Sequence, residues 1–233
     1  MRIKISFVIP AHNEEQYITG TLKAISDAMQ QVDANYDVTV VNDASTDKTR
    51  IVASQFGVHI VDANLRNIAA ARNFGARRTI GEIIIWTDAD TLVSKALVQG
   101  VLNAVDDGAV GGGSRVVFDR PAPFWGRFMA GFCVMIFGWV KLAAGSFVFC
   151  TRSAFEESDG FNEKLFASEE IDFSWRLKKL GKFVILPHAV ITSARKIRSY
   201  SFWEIMYMSG KILLMPGILK RRDKLDLWYE RRD

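Results

Sequence analysis

Cysteine is scarce in this chain: Cys133 and Cys150 are the only two among 233 residues. Two thiols set in apolar sequence build no disulfide framework and lack metal-ligand spacing, which excludes a stapled secreted scaffold and a cysteine zinc site. Both read as buried thiols in a reducing compartment. Long hydrophobic runs are also missing. The nearest, Phe128–Val140, counts 13 residues between Arg127 and Lys141, short of the roughly 18 that a spanning helix needs. The opening Met1-Arg2-Ile3-Lys4 runs directly into Ile5–Ile9, an apolar stretch too short for a secretory signal. The expected location is therefore cytoplasmic, with peripheral contact at the inner face of the cell membrane left open. A long basic run and an RNA-binding aromatic signature are absent, so no nucleic-acid partner is expected. The formal net charge of +4 suits an anionic ligand or a membrane surface. There is no internal repeat and no low-complexity linker.

What is present is the composition of a globular protein, 49% apolar and 24% charged. The length suits one α/β domain with a tail. Strands are expected at 5–9, 38–41, 58–61 and 83–86, and helices at 15–31, 47–55, 68–79 and 94–105. Ile18, Leu22, Ile25 and Met29 keep helical spacing in the first helix. Asn13 is expected to cap it, with Glu14 and Glu15 in its first turn. This βαβ rhythm predicts a mostly parallel sheet covered by helices on both faces.

The second half is less regular. Strands are expected at 114–118, 145–151 and 183–186. An aromatic helix is expected over 124–143 and an amphipathic helix over 168–180, closed by Gly181. The fold domain is drawn at 1–193, divided into a regular half, 1–110, and a less regular half, 111–193. A basic amphipathic extension, 194–233, holds ten Lys/Arg against five Asp/Glu from Arg195 onward.

The most informative feature is Asp88-Ala89-Asp90, directly after the apolar run Ile83–Trp86. A parallel sheet places ligands at the carboxyl ends of its strands. Two acids there repel each other unless a cation lies between them, and carboxylates suit Mg²⁺ or Mn²⁺, which bridge diphosphate oxygens. Three more acidic clusters fall at strand ends or a helix start: Asn13-Glu14-Glu15, Asn42-Asp43 and Glu169-Glu170-Ile171-Asp172. Each also has a purely structural reading. Asn13 and Asp47 serve equally well as caps, Asp43 as the start of a turn, and Asp172 as the i,i+4 partner of Arg176.

Five segments together resemble family 2 glycosyltransferases. Phe7–Glu15 resembles the opening strand and loop of that family. Val40–Thr49 resembles its VDDGSxDxT motif, Asn67–Ala76 its NxGxxxARNxG segment, Asp88–Asp90 its metal-binding DxD, and Glu169–Leu177 its EDxDLxxRL helix. The resemblance spans roughly residues 3–190. It implies a GT-A fold and an inverting transfer of a sugar from a nucleotide-diphosphate sugar to an acceptor hydroxyl, on a glycan or a lipid-linked molecule, with a divalent metal, Mn²⁺ or Mg²⁺. It further implies that Asp43 binds the base or ribose, with Pro10, Ala11, His12, Glu14 and Asn67 around it. Arg72, Asp88, Ala89 and Gly145 face the donor, and Asp90 is the direct metal ligand, with Asp88 beside it.

Glu170 falls in the slot of the base aspartate, with Glu169 as its rival. His188 is a candidate for completing the metal shell. Arg195, with Lys196, is a candidate for closing over the diphosphate, and Arg115 is a second. The chain departs from the family pattern at Asn42, where the first aspartate of the second motif is expected, at Ile68, where a glycine is expected, and at the longer Glu170. The apolar segments 124–143 and 203–219, followed by Lys220-Arg221-Arg222, suit an anionic membrane surface or packing on the sheet or on a second subunit, as in a homodimer. Two other readings are kept: a nucleotide-sugar-binding protein without transfer, and a sugar nucleotidyltransferase. The acidic loop after the first strand argues against the latter, since it offers no glycine-rich, basic cradle for a triphosphate.

Overall fold

A computed structural model of the chain describes residues 4–119, 143, 145–195, 203–204, 207, 211 and 215–225. Its centre is one eight-stranded sheet in the order β3-β2-β1-β4-β7-β6-β8-β5. The strands are β1 (Lys4–Ala11), β2 (Asn35–Asp43), β3 (His59–Ala63), β4 (Ile83–Thr87), β5 (Thr91–Leu92), β6 (Ala109–Phe118), β7 (Phe147–Thr151) and β8 (Lys182–Thr192). The helices are α1 (Ile18–Met29), α2 (Thr49–Ser54), α3 (Ile68–Ala76), α4 (Lys95–Asp106), α5 (Arg152–Glu157) and α6 (Glu169–Leu180). The pairings β1–β2, β2–β3, β1–β4 and β6–β8 are parallel, whereas β4–β7, β6–β7 and β5–β8 are antiparallel.

The period-two burial of the central strands sorts the core into two layers. Ile5, Phe7 and Ile9 of β1 and Ile83 and Ile85 of β4 pack with Ile18, Leu22 and Ile25 of α1, Ala53 of α2 and Leu97, Val98 and Val101 of α4. Val8, Ile84 and Trp86 point the other way, into a layer with Ala69 and Ala71 of α3, Ala154 and Phe155 of α5, and Phe173 and Leu177 of α6. All five residues of β4 are buried. A continuous apolar run is the signature of such a central strand.

Three elements differ from the sequence expectation for local physical reasons. Asn13 does not cap α1. The helix begins at Ile18, and the Asn13 side chain instead accepts hydrogen bonds from the backbone amides of Thr46 and Asp47, at 2.7 and 3.3 Å. It ties the loop after β1 to the loop after β2. β6 begins at Ala109 and takes Gly111-Gly112-Gly113 into the ladder, although glycine is a poor strand former. β8 continues past Pro187 to Thr192 because the register jumps there: Ser114 pairs with Leu186 but Arg115 with Ala189. Pro187 and His188 are the residues left over, and a bulge is where a strand tolerates proline.

The expectation for 124–142 and for Cys133 lies outside the described residues. Cys150 is buried in β7, and loss of solvation pushes its thiol pKa far upward, so it is inert. Among the described residues no helix is long and apolar enough to cross a membrane.

Candidate active site

Strand order reverses between β1 and β4: the chain runs outward through β2 and β3, then returns to place β4 on the other side of β1. Ligand crevices of open α/β sheets lie at the carboxyl ends of the strands at such a point. Here those ends carry Pro10–Glu14 and Asp88–Asp90.

The centre of the site is Arg72, on α3 and 1% exposed. Its Nη1 donates to Glu169 Oε1 at 2.7 Å. Its Nη2 donates to Asp88 Oδ1 at 3.2 Å and to the carbonyl of Gly145 at 2.8 Å. One guanidinium thus joins the end of β4, the residues that lead into β7, and the first turn of α6. Burial alone would depress the arginine pKa, but Glu169, Asp88 and Glu170 together raise it above its ordinary value, so it stays charged. Trp86 fixes the arginine from below: its indole N–H donates to the Arg72 carbonyl at 3.1 Å. Phe161 and Phe173 pack edge-on against the indole, and the guanidinium sits 5.2 Å from the Phe161 ring.

Glu170 lies beside this cluster. A Cβ built on Gly145 would stand 3.3 Å from Glu170 Oε1 and 3.5 Å from Arg72 Nη2, so Gly145 is the floor against which both groups rest. Loss of solvation, with the negative charge of Glu169 second, pushes the Glu170 carboxyl up to about 8, against a partial lowering by Arg72. Ser168, just before the helix, adopts a left-handed backbone with φ of 60°. That conformation is uncommon for a residue other than glycine and clusters at functional sites. Asp172 pairs with Arg176 at 2.8 Å, which is the structural reading of that acid.

Around β2 the geometry is looser. Asp43 is buried and its Oδ1 accepts from the Leu65 amide at 2.6 Å. His12 is exposed, and its Nδ1 lies 2.7 Å from the Asp43 carbonyl oxygen. Asn42 donates to Asp62 at 2.8 Å. Ala11 and Ala89 are buried backbone positions, and the Ala89 carbonyl accepts from Thr21 at 2.8 Å. The Asn67 side chain caps α3 through the Ala70 amide and donates to the carbonyls of Glu163 and Leu165, so its hydrogen bonds go to the protein.

Asp90 is held by Thr192 of β8 and by Arg195. Its Oδ1 accepts from Thr192 at 3.3 Å and its Oδ2 lies 3.2 Å from Arg195 Nη2. The same nitrogen of Arg195 pairs with Glu14 Oε1, and the guanidinium stacks 4.7 Å from the Tyr17 ring. Glu14 Oε2 is buried with no hydrogen-bond partner. A buried anionic oxygen left unsatisfied, next to a second carboxylate, fits a hard cation. Among the described residues no three His, Cys, Asp or Glu side chains come together as a metal-holding group. His188 falls in the β8 bulge, exposed, four residues before the Thr192 that bonds Asp90, and beside Gly100 of α4. Its position is set by the strand register of β8 against β6. Arg115 is exposed, and Lys196 lies outside the described residues.

Sequence reasoning missed Tyr17, which supports Arg195, and Trp86, which supports Arg72. Trp86 had a signal, an aromatic residue with a polar N–H inside a buried strand. Tyr17 had none.

Residues 6–159 match the family described as Glycosyl transferase family 2, and the chain belongs to that family. The acids of α6 lie beyond the matched stretch. The chain is 30% identical over 223 residues to the probable glycosyltransferase YdaM of Bacillus subtilis strain 168, covering 86% of this chain and 52% of that protein. It thus spans about half the length of that relative. Among solved structures, S. aureus TarS 1–349 in complex with UDP-GlcNAc is similar at 18% identity, with a TM-score of 0.66 over 93% of this chain and 67% of that one. The mannosyltransferase PcManGT of Pyrobaculum calidifontis, in complex with GDP-Man and Mn²⁺, is 20% identical, with a TM-score of 0.64 over 91% of this chain and 65% of that one. These likenesses establish the GT-A-like fold.

Proposed function

We propose that this chain transfers a sugar, with inversion, from a nucleotide-diphosphate sugar to an acceptor hydroxyl, with a divalent cation, Mn²⁺ or Mg²⁺, at Asp88 and Asp90. The observation that carries this reading is the convergence, at the β1–β4 edge, of Asp88, Arg72, the Gly145 carbonyl and the Glu169-Glu170 pair. In this reading Glu170 is the general base. A sugar hydroxyl is a poor nucleophile at neutral pH, and a carboxylate whose pKa is lifted toward neutrality is a stronger proton acceptor. Its proton comes from the acceptor hydroxyl, whose oxygen forms the bond to the anomeric carbon as the bond to the diphosphate breaks on the opposite face.

Glu169 is spent on Arg72 and takes no part in the proton transfer. Arg72 orients Asp88 and the Gly145 backbone toward the donor. Asp43 and His12 line the nucleoside end, near Pro10 and Ala11. The bound cation supplies charge neutralisation for the departing diphosphate. The neighbours crystallised with UDP-GlcNAc and with GDP-Man and Mn²⁺ support a donor and cation of these classes.

The acceptor is proposed to be a glycan or a lipid-linked molecule. Trp203, Tyr207 and Met215 are 77%, 68% and 62% exposed at four- and eight-residue spacing. Lys220, Arg221, Arg222 and Lys224 are exposed close by in sequence. Apolar and basic residues together suit an anionic lipid surface. Ile218 and Leu225 pack on Ala167, and the Phe166 amide donates to the Leu219 carbonyl at 2.8 Å, next to the start of α6. A lipid-borne acceptor would thereby reach Glu170.

The test is donor hydrolysis with UDP-, GDP- and dTDP-sugars, with Mn²⁺, Mg²⁺ or EDTA, on wild type and Asp90→Ala. Slow, metal-dependent release of a nucleoside diphosphate, lost in Asp90→Ala, is the expected result. No turnover of any donor, and no rise in melting temperature with any donor plus metal, would remove the proposal.

A further inference from the structure

Arg195 holds Asp90, one of the two acids at which a divalent cation is proposed to act. Its Nη2 is held by Glu14 from the loop after β1 and by Asp90 from the loop after β4, at 3.2 Å from the latter. The side chains of Arg195, Glu14 and Asp90 are only 23%, 14% and 12% exposed, so water screens this triad poorly and charges within it compete strongly. One guanidinium is shared between the two carboxylates. A divalent ion added while the guanidinium stays would crowd two cations onto Asp90. The unpartnered Glu14 Oε2 shows that the guanidinium satisfies this acidic pair incompletely.

The Ala194 amide donates to Asp119 Oδ1 at 3.0 Å, which pins the chain up to that residue. One residue later, the Arg195 side chain provides the tie to Glu14, Asp90 and Tyr17.

We infer that Arg195 is a positioning residue that occupies Asp90, held there together with Glu14, and gives Asp90 up when a divalent ion binds. The inference rests on the donor and cation reading above and adds an exchange to it. Once displaced from Asp90, the guanidinium can turn to the anionic donor. Occupancy of Asp90 by the metal and by Arg195 is therefore coupled, since each cation binds at the expense of the other.

The test measures Mn²⁺ binding calorimetrically, without any donor, on the full chain and on Arg195→Gln, Arg195→Lys and Asp90→Asn. Removing the competing charge tightens Mn²⁺ binding in Arg195→Gln by on the order of tenfold. Arg195→Lys keeps the charge and stays near wild type, and Asp90→Asn binds no Mn²⁺. In parallel, Mn²⁺ accelerates tryptic cleavage after Arg195 in wild type, and in Asp90→Asn the cleavage rate no longer responds to Mn²⁺. Equal or weaker Mn²⁺ binding by Arg195→Gln, with tryptic cleavage of wild type indifferent to the metal, overturns the exchange and leaves the donor reading standing. Failure of Mn²⁺ and Mg²⁺ to bind any of the chains overturns the exchange together with the cation. Metal-independent donor hydrolysis by the same preparations would then show that the transfer reading had survived.

Discussion

Arg72 Nη1 lies 2.7 Å from Glu169 Oε1, while the adjacent Glu170 carries no ion pair among the described residues. Two neighbouring acids of one helix turn are thus given different work by a single guanidinium. The paired acid is a structural counter-ion with 5% of its side chain exposed. The unpaired one keeps a proton-binding site near neutrality. Removing one member of a buried pair strands the other charge, at about 3–5 kcal/mol. Glu169→Ala is therefore expected to lower the melting temperature by roughly 10 °C or more and to unseat Asp88 along with Arg72. Thermal denaturation checks this. A change of only a few degrees would mean that the pair is not the strut described here.

Glu170→Gln keeps the shape of the side chain and removes the proposed base. Donor affinity should change little, because Glu170 makes no bond to Arg72 or Asp88. Transfer should fall by about 10²–10⁴-fold. In wild type the base must be deprotonated to act, and its pKa is raised to about 8, so the rate should climb with pH through that value and then level. A rate that is already flat from pH 6 to 9, or Glu170→Gln retaining most of the activity, would assign the base elsewhere.

The same carboxyl makes a stability prediction of defined sign. Its ordinary pKa is 4.5, and folding raises it to about 8. Between those values the folded state holds a proton that the unfolded state releases, so stability falls as pH rises across the window. Glu170→Gln has no such proton. The melting temperature of wild type should therefore drop relative to Glu170→Gln by a few degrees between pH 5 and pH 9. A constant gap between the two melting curves across that range would refute the raised value.

The first half of this fold was legible in the sequence because its signals are local. Ile83–Trp86 is a continuous apolar run bounded by polar residues, and the helix over 68–79 has an alanine-rich face. Such patterns name a strand or helix without knowledge of partners. The carboxylates after β4 were likewise legible, because strand ends are where a parallel sheet offers open backbone. What the sequence hid depends on distant partners. Asn13 looks like a cap, but its amide oxygen is drawn to the Thr46 and Asp47 amides. Pro187 looks like a strand end, but a register jump against β6 absorbs it. His188 inherits the consequence, since its place follows from that jump and not from the residues around it.

The glycine run of β6 is the clearest case, and it carries its own prediction. A Cβ on Gly112 would stand 2.2 Å from the Val184 carbonyl oxygen and 2.8 Å from the Phe149 ring, and one on Gly111 2.9 Å from Leu177 of α6. These glycines are in the strand because β7, β8 and α6 close on it. That closeness brings the first turn of α6 against Arg72. Gly112→Ala cannot be relieved by a rotamer change, since the obstacle at 2.2 Å is backbone. It should cost about 3 kcal/mol or more, as β8 and the Phe149 ring of β7 are forced away from β6. Gly20→Ala is the matched comparison: it lies in α1, its Cβ would meet only Leu92 at 3.7 Å, and alanine there should stabilise by about 0.5–1 kcal/mol. Melting curves of the two variants beside wild type should move in opposite directions. A Gly112→Ala protein as stable as wild type would contradict the close approach of β6, β7 and β8.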